Sequence, residues 1–172
     1  LIPNYVEELQ KLEPLQGYDF ADFDTAIQEA IDWGLLEPMD EGNRLLTIQP
    51  VFPYFLKTKL NGLDAATREA IGEGFKNHYQ GLAGSYNHLM ESQEPQERQL
   101  GIFYCRHEYE NLYNALQTCL ANRESISIFF CLDQYFDVIS DIQSKLKLSK
   151  FVCEGQESYP PEIRTGEIGR EI

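Results

Sequence analysis

Residues 30–60 read AIDWGLLEPMDEGNRLLTIQPVFPYFLKTKL, and this stretch decides the fold. Ala26, Ile27, Ala30 and Ile31 recur at i, i+1, i+4 and i+5, which lays one apolar stripe along a helix. Gly34 follows where such a helix stops and a left-handed residue is needed. Leu35 and Leu36 resume as a short strand, and residues 45–48 read as its return. Between them Asp40, Glu41, Gly42 and Asn43 spell a hairpin turn, since Gly42 and Asn43 tolerate positive φ. Pro50 fits the first turn of the next helix, where a missing N–H costs little.

A helix that runs into a two-stranded wing is the skeleton of a winged-helix module. Working outward, a short helix is expected from Pro3 to Leu12, ended by Pro14 and Gly17. Asp22 or Asp24 can cap the helix that reaches Trp33. Asn61-Gly62 is a stop signal, and the first domain is expected over 1–60. Asp64 caps a long helix whose seam is Phe75, Tyr79, Leu82, Tyr86 and Leu89. Gly81 and Gly84 lie beside that seam, either for close helix approach or as tolerated surface glycines. Pro95 opens a helix that Asn122 ends, and Ser125 caps a last long one through Ile142. The array spans 63–146 and is TPR-like in the length of its units. Residues 147–172 lose the apolar period and read as a loop or tail, with a short helix after Pro161 or the start of a further repeat. The fold class is therefore mainly α: a winged-helix module with a short β-ribbon, then an antiparallel helical array.

The line from residue 29 to residue 60 resembles the winged-helix domain of the STAND class of signal-transduction NTPases, which includes the NB-ARC proteins. Members of that class often carry GLL, a turn, and then l-x-I-H-P-x-L-P-x-F-L. Here the line stands as Gly34-Leu35-Leu36, then Leu46-Thr47-Ile48-Gln49-Pro50-Val51-Phe52-Pro53-Tyr54-Phe55-Leu56. HYQGLAGSYNHLM (78–90) and EYENLYNAL (108–116) resemble the helical stretch that leads to C-terminal TPR repeats. The resemblance implies the non-catalytic regulatory middle of a signalling ATPase. It would couple the nucleotide state of an upstream domain to downstream repeats, with ADP or ATP bound by the parent protein. Gln49 stands where the class usually has a histidine that contacts the nucleotide diphosphate. Glutamine donates a hydrogen bond but cannot become cationic, so Gln49 is either a phosphate-sensing position or an ordinary strand end. By the same resemblance Gln49, Pro50 and residues 51–56 form an edge that docks on the nucleotide domain, and the helix after Asp64 acts as a lever.

Composition narrows the alternatives. The 172 residues carry a formal charge of −14, and residues 1–60 hold four Lys/Arg against eleven Asp/Glu. A DNA-binding wing needs cations to replace phosphate counterions, and this one offers Arg44 beside Asp40 and Glu41, so nucleic acid is not the expected partner. Lys145, Lys147 and Lys150 form the one basic cluster and read as a solvated helix end. No apolar run is long enough for a membrane span, and no signal-peptide pattern is present. Cys105, Cys119, Cys131 and Cys153 form no C-x-x-C pair, which points to a reduced, cytoplasmic protein without a metal site. The chain begins at Leu1 and is expected to be a fragment.

No P-loop or G-x-S-x-G elbow appears; Glu7-Glu8 and Asp22/Asp24 read as caps and solvated faces, and Glu108 and Glu110 cannot share a helical face, so no enzyme and no cofactor are expected of this chain itself. His78 and His88 fall on nearly the same face of one helix and would need a partner from another. Phe52, Tyr54 and Phe55 after the wing, and Tyr104, Tyr109 and Tyr113 on a central helix, suit protein partners, because they join large area to a polar tip. The same tyrosines also suit a small helical core. The alternative function is a free-standing TPR-like adaptor that binds a protein or peptide in its helical groove.

Overall fold

A computed structural model describes residues 2–39 and 46–160; the hairpin turn at Asp40–Asn43 and the segment after Pro160 lie outside the described residues. In order, the elements are α1 (Ile2–Gln10), a 3₁₀ turn (Glu13–Leu15), α2 (Phe23–Asp32), β1 (Leu36–Pro38), β2 (Leu46–Ile48), α3 (Phe52–Asn61), α4 (Ala65–Glu91), α5 (Pro95–His107), α6 (Tyr109–Asn122), α7 (Ser127–Val138) and α8 (Ile142–Gln156). The chain is mainly helical with one small two-stranded sheet. It divides into two compact units, Leu1–Gly74 and Phe75–Ile172, so the division falls inside α4 and not at Asn61-Gly62.

In the first unit, Gly34 takes φ 69° at the end of α2, the left-handed value that a side chain resists. The chain then reverses into β1, which pairs antiparallel with β2 in the register Leu36↔Ile48, Glu37↔Thr47 and Pro38↔Leu46. Pro53, not Pro50, occupies the first turn of α3, because the helix begins at Phe52. The core of this unit is Leu9, Leu15 and Ala70, with Tyr5, Leu12, Phe20 and Ile71 against them. It is built by α1, the 3₁₀ turn and the start of α4. Neither α2 nor α3 buries a residue fully, and Leu36 is the buried residue of the ribbon. Gly74 lets α4 meet α1: a Cβ there would stand 2.6 Å from Leu9 Cδ2.

The second unit has a larger core centred on α6. Leu112, Ala115, Leu116 and Cys119 are wholly buried, at positions i, i+3, i+4 and i+7 of one face. α5, α7 and α8 all pack on α6, and α7 also packs on α5 and α8. Two breaks differ from the sequence reading. The expected helix from Pro95 to Asn122 is two helices, because the backbone leaves helical geometry at Glu108 (φ −98°, ψ 8°). The expected last helix is also two: Ser140 turns left-handed (φ 58°), and Asp141 caps α8 by accepting from Ser144 N–H at 3.0 Å. Residues 147–156, read as loop or tail, therefore belong to α8, whose Leu148 and Val152 join the core. Ile126 holds the N-cap position of α7.

Glycine placement decides which helices approach closely. Gly81 and Gly84 face open space. Gly101 does not: a Cβ there would stand 2.8 Å from Met90 Cγ and 2.9 Å from the Met90 backbone nitrogen. Gly101→Ala is expected to cost about 1–3 kcal/mol in urea denaturation, because backbone cannot step aside as a flexible side chain can. Gly84→Ala should be neutral or stabilising by up to about 1 kcal/mol, since it removes a helix-interior glycine into empty space. At the left-handed end of α6, Arg123 (φ 60°) pays a steric penalty, and Arg123→Gly should raise stability by about 0.5–1 kcal/mol.

Candidate functional site

α3 is the least covered helix of the first unit. Val51 is 69% exposed, Tyr54 75% and Phe55 54%, with Leu56 and Leu60 also open. Phe52 is half-buried and its ring stacks with Phe55 at 6.2 Å. Lys59 lies over the Phe55 ring, 5.2 Å from its centroid. Trp33 at the end of α2 and Ile48 at the end of β2 are exposed too. These exposed apolar side chains on one short helix exceed the scattered singles normal for a surface. Of the residues expected to interact, Val51, Phe52, Tyr54 and Phe55 are together on this helix, and Pro50 is the exposed turn residue before it.

Gln49 is fixed by the ribbon. Its backbone N–H donates to Leu35 O at 3.0 Å, and its side-chain amide donates to the Glu37 carboxylate. That amide N–H is thus committed to an anion on the neighbouring strand. The amide keeps a second N–H beside the one given to Glu37, although the Glu37 charge opposes a phosphate brought close to it.

The three tyrosines of the helical unit separate. Tyr104 on α5 stacks on Tyr86 at 5.5 Å and packs against the core. Tyr109 and Tyr113, one turn apart on α6, stack at 6.1 Å with planes 21° apart. They line a cavity of about 200 Å³ together with Ser144, Lys147 and Leu148 of α8. Phe136 meets the Tyr109 ring edge-on at 5.8 Å, and Phe151 backs Tyr113 at 5.3 Å, so both rings are held from outside the cavity. Sequence reasoning named Tyr109 and Tyr113, together with Tyr104, by residue type on one expected helix. It did not join Ser144, Lys147 and Leu148 to them, because it ended the array at residue 146 and read Lys147 as part of a solvated helix end.

A polar cluster sits where α5 gives way to α6. Glu108 accepts from the Tyr79 hydroxyl and from the Asn111 amide, each at 2.8 Å. Burial, then the nearby Glu108 carboxylate, raises the Tyr79 phenol far above its ordinary range, and Tyr86 is raised for the same reasons. Lys76, with a side chain only 4% exposed, pairs with Glu124 in the turn after α6. The Tyr159 hydroxyl donates to the Glu124 carbonyl at 3.1 Å and approaches the Cys119 carbonyl at 3.4 Å. These bonds satisfy the last carbonyls of α6, a structural role. His78 is buried edge-on against Tyr79, whereas His88 is exposed, so the two share no surface. Among the described residues no three His, Cys, Asp or Glu come together as a metal would need, and no helix is long and apolar enough to cross a membrane.

No family model matches the chain, and no match was found among curated proteins or among solved structures.

Burial and the Glu124 charge push the Cys119 thiol up to about 11, against the opposing pull of Lys76. The folded state therefore holds its proton more tightly than the unfolded chain does. Stability from this group is complete below the ordinary thiol value near 9 and is lost as pH rises from there to about 11. Urea midpoints measured from pH 8 upward should fall over that window, with a shallower fall in Cys119→Ala despite its lower starting stability.

Proposed function

We propose that this chain is a non-catalytic docking region and that the α3 face is its contact surface. The single observation that carries this reading is the exposure of Val51, Tyr54, Phe55, Leu56 and Leu60 on one helix that buries no residue fully. Aromatic side chains of this kind supply most of the energy in protein interfaces, because they bury large area at low entropic cost. The resemblance of residues 29–60 names the occupant: the nucleotide-binding domain of a STAND-type signalling ATPase, on which the face would rest in the ADP state and from which it would part on activation. Gln49, beside the ribbon and next to Pro50, is then the residue nearest to the nucleotide. Its amide has a second N–H beside the one bonded to Glu37, which could donate to a phosphate oxygen. The competing adaptor reading places the partner on the helical unit instead.

The reading makes two demands. The parent gene should encode a P-loop segment upstream of Leu1. That segment, expressed separately, should bind the chain more tightly with ADP than with ATP in isothermal calorimetry, and Phe55→Glu should weaken the complex about tenfold or more. Phe55→Glu changes an exposed side chain, so its thermal midpoint should match the parent chain. Absence of a P-loop segment, or equal binding by the parent and Phe55→Glu chains, would overturn the docking reading and leave the adaptor reading in its place.

A further inference from the structure

The cavity between α6 and α8 has a chemistry of its own, and we propose that it binds a small monocarboxylate with an apolar or aromatic body. The carboxylate would sit on Lys147 and the hydroxyls, and the body against Tyr109, Tyr113 and Leu148. A volume of about 200 Å³ equals roughly seven waters, room for one small molecule and not for a peptide segment. The polar side chains of the wall are two phenols, one hydroxyl and one ammonium. Each donates a hydrogen bond, and none is a carboxylate.

Lys147 differs from the other lysines of α8. Lys145 pairs with Asp133 and Asp137, and Lys150 pairs with Glu154. Lys147 forms no ion pair among the described residues. Asp141 is close enough to feel its charge, but that carboxylate already accepts from Ser144 N–H at the start of α8. An ammonium in the wall repels a cationic ligand, although aromatic faces alone would attract one. The Tyr109 phenol is protonated at neutral pH and therefore a donor there, and burial raises it further. Glu110 and Asp141 stand near Tyr109 outside the lining, so a negative group is favoured only where Lys147 pairs it, and a second one is disfavoured. The walls are ready before binding, because Phe136 and Phe151 fix the two rings and Leu148 is packed into the core.

The test uses the whole chain, with amide shifts followed by NMR during titration with phenylacetate, its neutral isostere phenylacetamide, and the dianion phenylmalonate. Phenylacetate is expected to shift Tyr109, Tyr113, Ser144, Lys147 and Leu148 saturably. The amide and the dianion should bind about tenfold more weakly, the cost of losing a charge-assisted hydrogen bond or adding a repelled charge. Lys147→Met should erase the preference for acid over amide, and Lys150→Met should leave it intact. Equal binding of acid and amide, shifts mapped elsewhere, no saturation, or a preference that survives Lys147→Met would overturn the proposal. So would tighter binding of a capped peptide carrying one internal glutamate, which would assign the site to a protein carboxylate.

Discussion

The sequestered face of α6 is the constraint on which the second unit depends. Four residues of that helix are wholly withdrawn from water, and α5, α7 and α8 are arranged to withdraw them. Burial of this kind contributes on the order of 1.5–3 kcal/mol per large side chain and requires that no polar group be stranded beside it. The end of α6 meets that requirement by gathering distant parts of the chain. Arg123 turns left-handed, Glu124 N–H donates back to Cys119 O at 2.9 Å, Lys76 reaches Glu124, and Tyr159 returns after α8 to the same carbonyls. Removing Glu124 would take one carboxylate from a buried ammonium, a more costly loss than that of a surface pair.

The first unit is organised on the opposite plan. Its core is small and lies between α1, the 3₁₀ turn and the start of α4, while α2, the ribbon and α3 contribute little to it. The apolar residues of α3 thus remain as surface. α3 buries no residue fully, and that exposure is the physical basis of the docking proposal. In the ribbon, local hydrogen bonds such as Gln49 to Glu37 hold what burial does not.

Much of this was legible in residue order, and the failures have local causes. Gly34 declared its left-handed turn because only glycine takes that geometry freely, and the apolar seams of α4 and α6 declared their faces by period. The break at Glu108 was invisible because glutamate favours helices. What stops the helix there is tertiary, a carboxylate drawn to Tyr79 and Asn111. The break at Ser140 carried a signal, Asp141 three residues before Ser144, but Ile139 and Ile142 continued the apolar period across it and hid the cap. Gly101 and Gly81 look alike in sequence, because a glycine's use depends on a neighbour that the local sequence does not name. The α3 face was readable as a run of aromatics, whereas the cavity needed α8, which the fading period had disguised as a tail.

The four thiols give the molecule an internal clock. Cys105 and Cys131 are buried near each other, Cys119 is buried on α6, and Cys153 is exposed. An alkylating reagent meets Cys153 directly, but it meets the other three only when helices part. Each slow modification is therefore a count of openings of the second unit, and the spread among the three sites separates local fraying of one helix from collective loss of the α6 core. A chain whose core carries its own chemical probes reports its fluctuations without any label being introduced.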